Sequence, residues 1–370
     1  MTIERIELSL LRLPYVHFFE TSFGRAYDRT FILVRAFEGG AGGWGECVAE
    51  EAPLYSGETT ETAWHILRDF LIPLVFRKDV VEPEAFAREA SVFRGNRMAK
   101  AGLELALWDL EARKAGLPLS RLYGGVREEV DAGVSCGIED SIPELVTRVG
   151  SYLEQGYRRI KIKIKPGWDI KACEGLRKAY PDIVLQADAN GAYSLADTDT
   201  LKALDAFRLL MVEQPFPPYD LWDHARLQRE MKTPLCLDES ILSLDAARAA
   251  IEMGSCRIVN IKVGRVGGPF EMRRIHDYCE AHGVPVWCGG MLESGVGRAH
   301  NIHIASLPNF KLPADLSASR RYYREDIIEP PIELSGPGKI RVPSGPGIGV
   351  TPVEERIRKA AVRHEVFVCS

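Results

Sequence analysis

The sequence predicts an α/β protein: a modified (β/α)8 barrel of the TIM-like (β/α)7β kind, with an N-terminal α+β capping domain completed by the C-terminal tail. Three observations predict it. First, Lys163, Asp188, Glu213, Asp238 and Lys262 fall 25, 25, 25 and 24 residues apart, each closing a short apolar run: RIKIK, IVLQAD, LLMVE, PLCLD and RIVNIK. One barrel unit of strand, helix and two loops averages roughly 31 residues, fewer with short loops. Second, from about 131 to 316 strand-like runs alternate with helical periodicity, as a parallel α/β sheet requires. Third, residues 1–125 carry a different pattern, alternating runs followed by helices, and the tail is rich in Gly and Pro.

Taken in order, alternating runs at 3–13 and 30–37 predict an antiparallel hairpin or meander, continued by GGWGECVAE. Helical patterns follow at about 58–76, 83–92 and 97–115. In the last, Leu103, Leu107 and Leu110 with Ala106 form an apolar stripe. Barrel strands are expected at 131–136, 158–164, 183–188, 209–213, 234–238, 257–262, 284–288 and about 310–314. Helix 142–154 stops before Gly156, a C-terminal glycine signal. The expected units are a cap at 1–125, a barrel at 126–320, and a segment at 321–370 returning to the cap. Two stretches, 16–28 (VHFFETSFGRAYD) and 49–60 (AEEAPLYSGETT), are read as loops covering a small ligand.

Bulk composition narrows the function. At 370 residues the chain exceeds the roughly 250–300 over which one core grows. A net charge of −5 and the lack of any Lys/Arg block argue against nucleic acid and membrane surfaces as partners. No apolar stretch approaches the roughly 20 residues of a membrane-spanning helix, and the charged, alternating N-terminus reads as a strand. Eight cysteines lie scattered without a C-x-x-C pair. Reduced, buried thiols and a cytoplasmic location are expected.

The chemistry sits at the strand ends, which form the catalytic face of such a barrel. Asp188, Glu213 and Asp238 come from neighbouring strands, and three carboxylates without His or Cys favour Mg²⁺ or Mn²⁺ over zinc. Lys161, Lys163 and Lys165 alternate and are expected to share one side of their strand. Lys163 and Lys262 then flank the ion from opposite sides. A small carboxylate held there presents its α-proton to two amines. One base working alone supports β-elimination of water, and two on opposite faces support inversion at the α-carbon. A lysine nucleophile forming a Schiff base through Lys262, as in an aldolase, is the rival from another reaction class. A non-catalytic binding barrel is a third. His300 and His303, spaced i, i+3 on a helix, are read as packing rather than ligation. The glycines of GRVGG are read as a tight turn, because no G-K-[ST] follows them.

These residues resemble the enolase superfamily in its muconate-lactonising subgroup, over essentially the whole chain. Lys161-Ile162-Lys163 looks like the family's K-x-K. Asp188-Ala189-Asn190, Glu213-Gln214-Pro215 and Asp238-Glu239-Ser240 look like its three metal ligands, and Lys262 in NIKVGRVGG matches the opposing lysine. More narrowly, PVWCGGMLESGVGRAHNIHIASLPNF and PADLSASRRYY are similar to the o-succinylbenzoate synthases of menaquinone biosynthesis that double as N-acylamino acid (N-succinylamino acid) racemases. The resemblance implies that Lys163 removes the α-proton, Lys262 stabilises the enediolate or serves as second acid/base, and Lys161 assists electrostatically. It implies that Asn190, Gln214 and Glu239 support the ligands and that Arg265 favours racemisation. It places Phe19, Tyr55, Ser135, Met291, Leu292 and Glu293 in the substrate pocket, with Asp315 beside them. A homo-oligomer is implied by analogy alone. Two departures narrow the subgroup. The seventh strand VPVWCGGM lacks the histidine of mandelate-racemase-like members, and PADLS has a single aspartate where dipeptide epimerases carry D-x-D. A dedicated racemase is the principal alternative, with a cycloisomerase or dipeptide epimerase behind it.

Overall fold

The structure, a computed structural model, describes residues 2–77 and 82–369. Its first unit is an antiparallel sheet built on a long hairpin of β1 (Arg5–Thr21) and β2 (Gly24–Glu38), followed by β3 (Ala41–Cys47). Ile6, Leu8 and Leu10 alternate into the core, as one buried sheet face demands. The hairpin differs from expectation at 16–28. Instead of a loop, the two strands continue to a tight turn after Thr21, which pairs with Gly24. The ladder breaks between Pro14 and Phe19 and resumes over 19–21 against 24–26, where Phe19 and Thr21 are β-favouring residue types. Stretch 49–60 is irregular up to Thr60.

The expected helix at 58–76 is α1 (Thr60–Ile66), a π-helical turn (Leu67–Leu71) and α2 (Ile72–Arg77). Thr59 and Thr62 cap its start reciprocally. Then come α3 (Pro83–Ala90), α4 (Arg97–Ala115) and α5 (Leu119–Tyr123). Leu103, Ala106, Leu107 and Leu110 of α4 are fully buried. The helix lies unusually close on β3 because Gly43 and Gly45 face it. A Cβ on Gly43 would come 2.3 Å from the Ala106 carbonyl oxygen, and one on Gly45 2.2 Å from that of Gly102.

After β4 (Glu129–Asp131) the chain forms a parallel sheet of seven neighbouring strands: β5 (Gly133–Cys136), β6 (Arg159–Lys163), β7 (Val184–Asp188), β8 (Val212–Glu213), β9 (Leu235–Leu237), β10 (Ile258–Ile261) and β11 (Val286–Cys288). Between and after them run α6 (Ile142–Glu154), α7 (Asp169–Ala179), α8 (Thr198–Ala203), α9 (Leu221–Glu230), α10 (Leu244–Met253), α11 (Val263–Val266), α12 (Pro269–Ala281) and α13 (Gly295–Ala305). The expected eighth strand at 310–314 does not form one. Phe310 bridges Val286 and Ala314 bridges Ala132, so the segment lies between the last and first strands with one isolated bridge and a few backbone hydrogen bonds on each side. Pro308 and Pro313 supply no N–H there, which limits the ladder.

The tail forms β12 (Ile328–Glu329), β13 (Lys339–Arg341), β14 (Thr351–Pro352), α14 (Glu354–Ala360) and β15 (Ala361–Val368). Strand β13 pairs with β4, and β15 pairs antiparallel with β1, making the edge of the first sheet in the order β15-β1-β2-β3. His300 and His303 are buried in α13. His300 Nε2 meets the Trp44 carbonyl at 2.7 Å, and His303 Nδ1 accepts from Ser120 N at 3.1 Å. Burial holds their imidazoles down at about 4 and about 3, as packed neutral rings. All eight cysteines are free thiols, and only Cys369 is exposed.

Candidate active site

Strand register levels the site. Lys163 pairs with Asp188 and Asp188 with Glu213 across three adjacent strands, while Asp238 lies two residues beyond Cys236, the partner of Glu213. Alternation puts Lys161 and Lys163 on the same face, and both are buried. Lys165 lies outside the strand, partly exposed, and pairs with Glu20 at 3.3 Å, so the expected row of three inward lysines stops at two. Just past the strand ends the backbone bends sharply. Asn190, Gln214 and Leu292 have φ of 45°, 39° and 58°, a left-handed conformation that non-glycine residues adopt at a cost and that recurs at functional sites.

Acids and bases interlock at this mouth. Lys163 Nζ donates to Asp188 Oδ2 and Asn190 Oδ1, both at 2.7 Å. Lys161 Nζ lies 2.6 Å from Asp315 Oδ2 and 3.1 Å from both Asp188 Oδ2 and Glu213 Oε2. Across the barrel, Lys262 Nζ lies 2.8 Å from Asp238 Oδ2 and 3.1 Å from the Tyr55 hydroxyl, 4.5 Å from the centre of that ring. Arg265 pairs with Asp238 Oδ1 and donates to the carbonyls of Ile241 and Asn260. Burial depresses the Lys161 ammonium, but Asp315, Glu213 and Asp188 outweigh it and hold it above the usual range. Burial likewise opposes the Lys262 charge, and Tyr55, Glu239, Glu213 and Asp188 overcome it. Burial raises the Asp188 carboxyl, yet Lys163 and Lys161 pull it well below the carboxylate range. Glu213 goes the other way, because burial is reinforced by repulsion from Asp188. That asymmetry marks a site rich in negative charge.

The expected supporting residues fall into two groups. Asn190 links Lys163 to Glu239, donating from Nδ2 to Glu239 Oε1 at 2.8 Å. Gln214 faces the chain instead: its Oε1 accepts from the backbone of Asp238 and Ser240, fixing the turn that presents Asp238. Sequence reasoning missed Gln186 and Asn260, which donate to Glu213 at 3.0 and 2.7 Å from one pleat below. The i−2 rule from Asp188 and Lys262 would have found both.

A cavity of about 340 Å³ opens above these groups. Phe19, Tyr55, Ser135, Met291, Leu292 and Asp315 line it, together with Lys161, Lys163, Lys262 and Asn190. Glu293 does not. Its Oε1 accepts from Asn301 Nδ2 at 2.9 Å, turned away after the left-handed Leu292. Unforeseen lining residues include Tyr15, Arg29 and Tyr322. Both ligand-covering stretches reach the cavity, the hairpin end through Phe23 and Tyr27 and the 49–60 stretch through Leu54 and Tyr55.

The donor set fits a hard divalent cation: three buried carboxylates on consecutive strand ends, no sulfur, no imidazole. Asp238 Oδ2 is fully buried and makes no well-directed hydrogen bond, despite its ion pair with Lys262. Each of the three is held by a lysine or arginine, and their oxygens are not all within 4.8 Å of one another. Among the described residues the trio that does meet that distance is His276, Asp277 and Glu280. These sit near the end of α12, which leads back to the start of β11, away from the strand C-termini. Two of them are exposed, and His276 Nε2 is already used by Asn309 N at 3.0 Å.

A buried pair of amines facing strand-end carboxylates in a capped barrel defines a class of enzyme, and the chain's relatives carry the same architecture. Residues 6–124 match the mandelate racemase/muconate lactonizing enzyme N-terminal domain, and 144–356 match the enolase C-terminal domain-like family. The chain belongs to the enolase superfamily, whose members generally use a divalent metal ion. It is 50% identical to an o-succinylbenzoate synthase of Geobacillus stearothermophilus, covering 99% of this chain and 98% of that one. It is 49% identical to an N-succinylamino acid racemase of an Amycolatopsis species, covering 96% of each. A solved enolase-superfamily structure from Listeria innocua superposes with a TM-score of 0.96 at 40% identity, covering both chains fully.

Proposed function

We propose that this protein removes the α-proton of a small carboxylate, acting as an o-succinylbenzoate synthase with N-succinylamino acid racemase activity alongside. The observation that carries the reading is the placement of two amines, Lys163 on β6 and Lys262 after β10, with Asp188, Glu213 and Asp238 on the strand ends between them. Those three carboxylates would hold the ion, taken as Mg²⁺ with Mn²⁺ as substitute. When bound, the ion acts as a Lewis acid on the substrate carboxylate and favours the negative charge left by proton loss.

The chain's own groups do the rest. Lys163 Nζ takes the α-proton; in dehydration the same amine returns it to the departing hydroxide. In racemisation Lys262 Nζ delivers a proton to the opposite face. Lys161, anchored by Asp315 over the Trp287 ring, keeps its charge and stabilises the developing anion without moving a proton. Phe19, Met291, Leu292 and Tyr55 exclude water and seat the apolar part of the ligand, and Ser135, bonded to Asp315 at 3.2 Å, fixes one wall.

A dedicated racemase is the second reading. Arg265 supports it, packed against Asp238 and 3.5 Å from the Tyr55 hydroxyl that also meets Lys262. The Schiff-base alternative is disfavoured by the ion pair of Lys262 with Asp238 at 2.8 Å, a partner that favours the ammonium over the neutral amine such chemistry needs. Purified protein with Mg²⁺, offered each substrate in turn, tests the proposal through the two kcat/KM values. Turnover of neither would sink it. We further take 1–125 as cap, 126–320 as barrel and 321–370 as the returning segment. Eight free thiols suit a reducing compartment such as the cytoplasm.

A further inference from the structure

A second cavity of about 590 Å³ lies in the cleft between the cap and the outside of the barrel. On the cap side its wall is α3, the loop after it and the first turns of α4. On the barrel side it is Leu242, Ser243 and the stretch from Val266 to Arg274. Its charge is one-sided. Arg88, Arg94, Arg97, Lys100 and Arg274 line it, against the carboxyls of Glu104 and Glu271.

Neither carboxyl offsets the cations that matter. Glu271 is occupied by Arg274 at 2.7 Å and by the backbone N–H of Leu244. Glu104 is buried beneath the cleft, accepting from Phe270 N and Trp108 Nε1, and burial pushes its carboxyl up to about 8. Near neutral pH it is therefore mostly uncharged. Arg88 has Glu84 at 3.4 Å. Arg94 and Arg97 form no side-chain ion pair among the described residues, and the carboxylate that acts on Arg97 and Lys100 is Glu58, whose oxygens are taken up by the backbone at the start of α4. Lys100 donates only to the Phe93 carbonyl, and burial followed by repulsion from Arg97 holds its ammonium below the usual range. Cations that outnumber the carboxylates around a hollow create a concentrated positive potential.

We propose that this cleft binds a multiply charged phosphate-bearing small molecule, gripped by Arg94, Arg97 and Lys100. Planar guanidinium groups match phosphate oxygens two at a time, and an ammonium adds a point charge. The volume falls within the range of small-ligand pockets. Phe270, flanked by the guanidinium carbons of Arg88 at 5.6 Å and Arg274 at 5.8 Å, offers a flat apolar wall to the remainder of such a molecule. The site is separate from the reactive centre, so it stands whether or not the catalytic reading does.

Inorganic pyrophosphate titrated calorimetrically into the full chain, in EDTA so that no metal mediates the contact, tests it. The expected result is one molecule bound per chain. The Kd should rise several-fold in Arg94→Gln, whose exposed side chain makes no fold-supporting contact, and at least tenfold in Arg94→Gln/Arg97→Gln. Lys163→Ala should bind like the wild type. No saturable binding, equal affinity in the double variant, or loss of binding in Lys163→Ala would each overturn the proposal. Citrate binding as tightly as pyrophosphate would overturn the assignment to phosphate.

Discussion

Glu58 holds Met98: its two carboxylate oxygens accept the Met98 backbone N–H at 3.1 and 3.0 Å, and one also accepts that of Ala99 at 3.2 Å. An acidic side chain 40 residues upstream thus caps the start of α4, whose own preceding residue, Asn96, gives no side-chain cap. Three residues before Glu58, Tyr55 reaches Lys262 and Asp238. The stretch between is pinned at both ends. Glu58→Ala should cost about 0.5–2 kcal/mol of stability as a lost cap. It should also raise KM more than it lowers kcat, because Tyr55 loses its anchor while the amines stay put. Denaturant titration and steady-state kinetics read the two effects separately.

Replacing either amine should remove catalysis. General-base contributions run about 10²–10⁴-fold, so Lys163→Ala is expected to lose at least that much in both dehydration and racemisation. Lys262→Ala should lose racemisation equally. If dehydration survives in that variant, Lys262 moves no proton in that reaction. Following exchange of the α-proton with deuterium from solvent distinguishes loss of proton removal from loss of its return.

Chelation offers an independent check on the carboxylates. Dialysis against EDTA should abolish activity, and Mg²⁺ should restore it. Asp238→Asn should raise the Mg²⁺ concentration needed for half-activity, since one anionic oxygen is removed from the set. Activity indifferent to EDTA would contradict the reading.

Glu104 predicts a pH dependence of stability. Its carboxyl is raised from an ordinary 4.5 to about 8 in the fold, chiefly by burial. Between those values the unfolded chain ionises while the folded one keeps its proton, so the unfolded state binds fewer protons and stability falls as pH rises. The slope reaches about 1.4 kcal/mol per pH unit for one group, and it ends once the folded carboxyl also titrates. Glu104→Gln abolishes this contribution. The stability difference between wild type and variant should shift against the wild type from pH 5 to 8. Urea midpoints at three pH values measure it.

The strand-end acids and lysines were legible because period-2 alternation and a near-constant repeat put them at equivalent places on successive strands. The α4 helix was legible with both its boundaries, since its apolar stripe is long and uninterrupted. What escaped the sequence depends on geometry between distant residues. Glu58 reads as an ordinary loop acid until α4 is docked beside it. Glu293 looks like a pocket residue until the left-handed Leu292 turns it toward Asn301. The extended hairpin at 16–28 was hidden because its Gly, Ser and Asp suggest a loop while its aromatics favour strand. Lys165 was misplaced by continuing the alternation one step past the strand's end.

The irregular segment at 310–314 makes the ring of strands unequal around its circumference. Every other junction is a ladder, whereas here Phe310 and Ala314 each make a single bridge, and Asp315, which steadies Lys161, follows directly. Backbone hydrogen bonds from Lys311 and Asp315 to β11 and from Gly133 to Ala314 still close the cylinder at this seam without a regular ladder. A substitution beside it can shift Asp315, and with it the ammonium it steadies, while leaving the remaining staves intact.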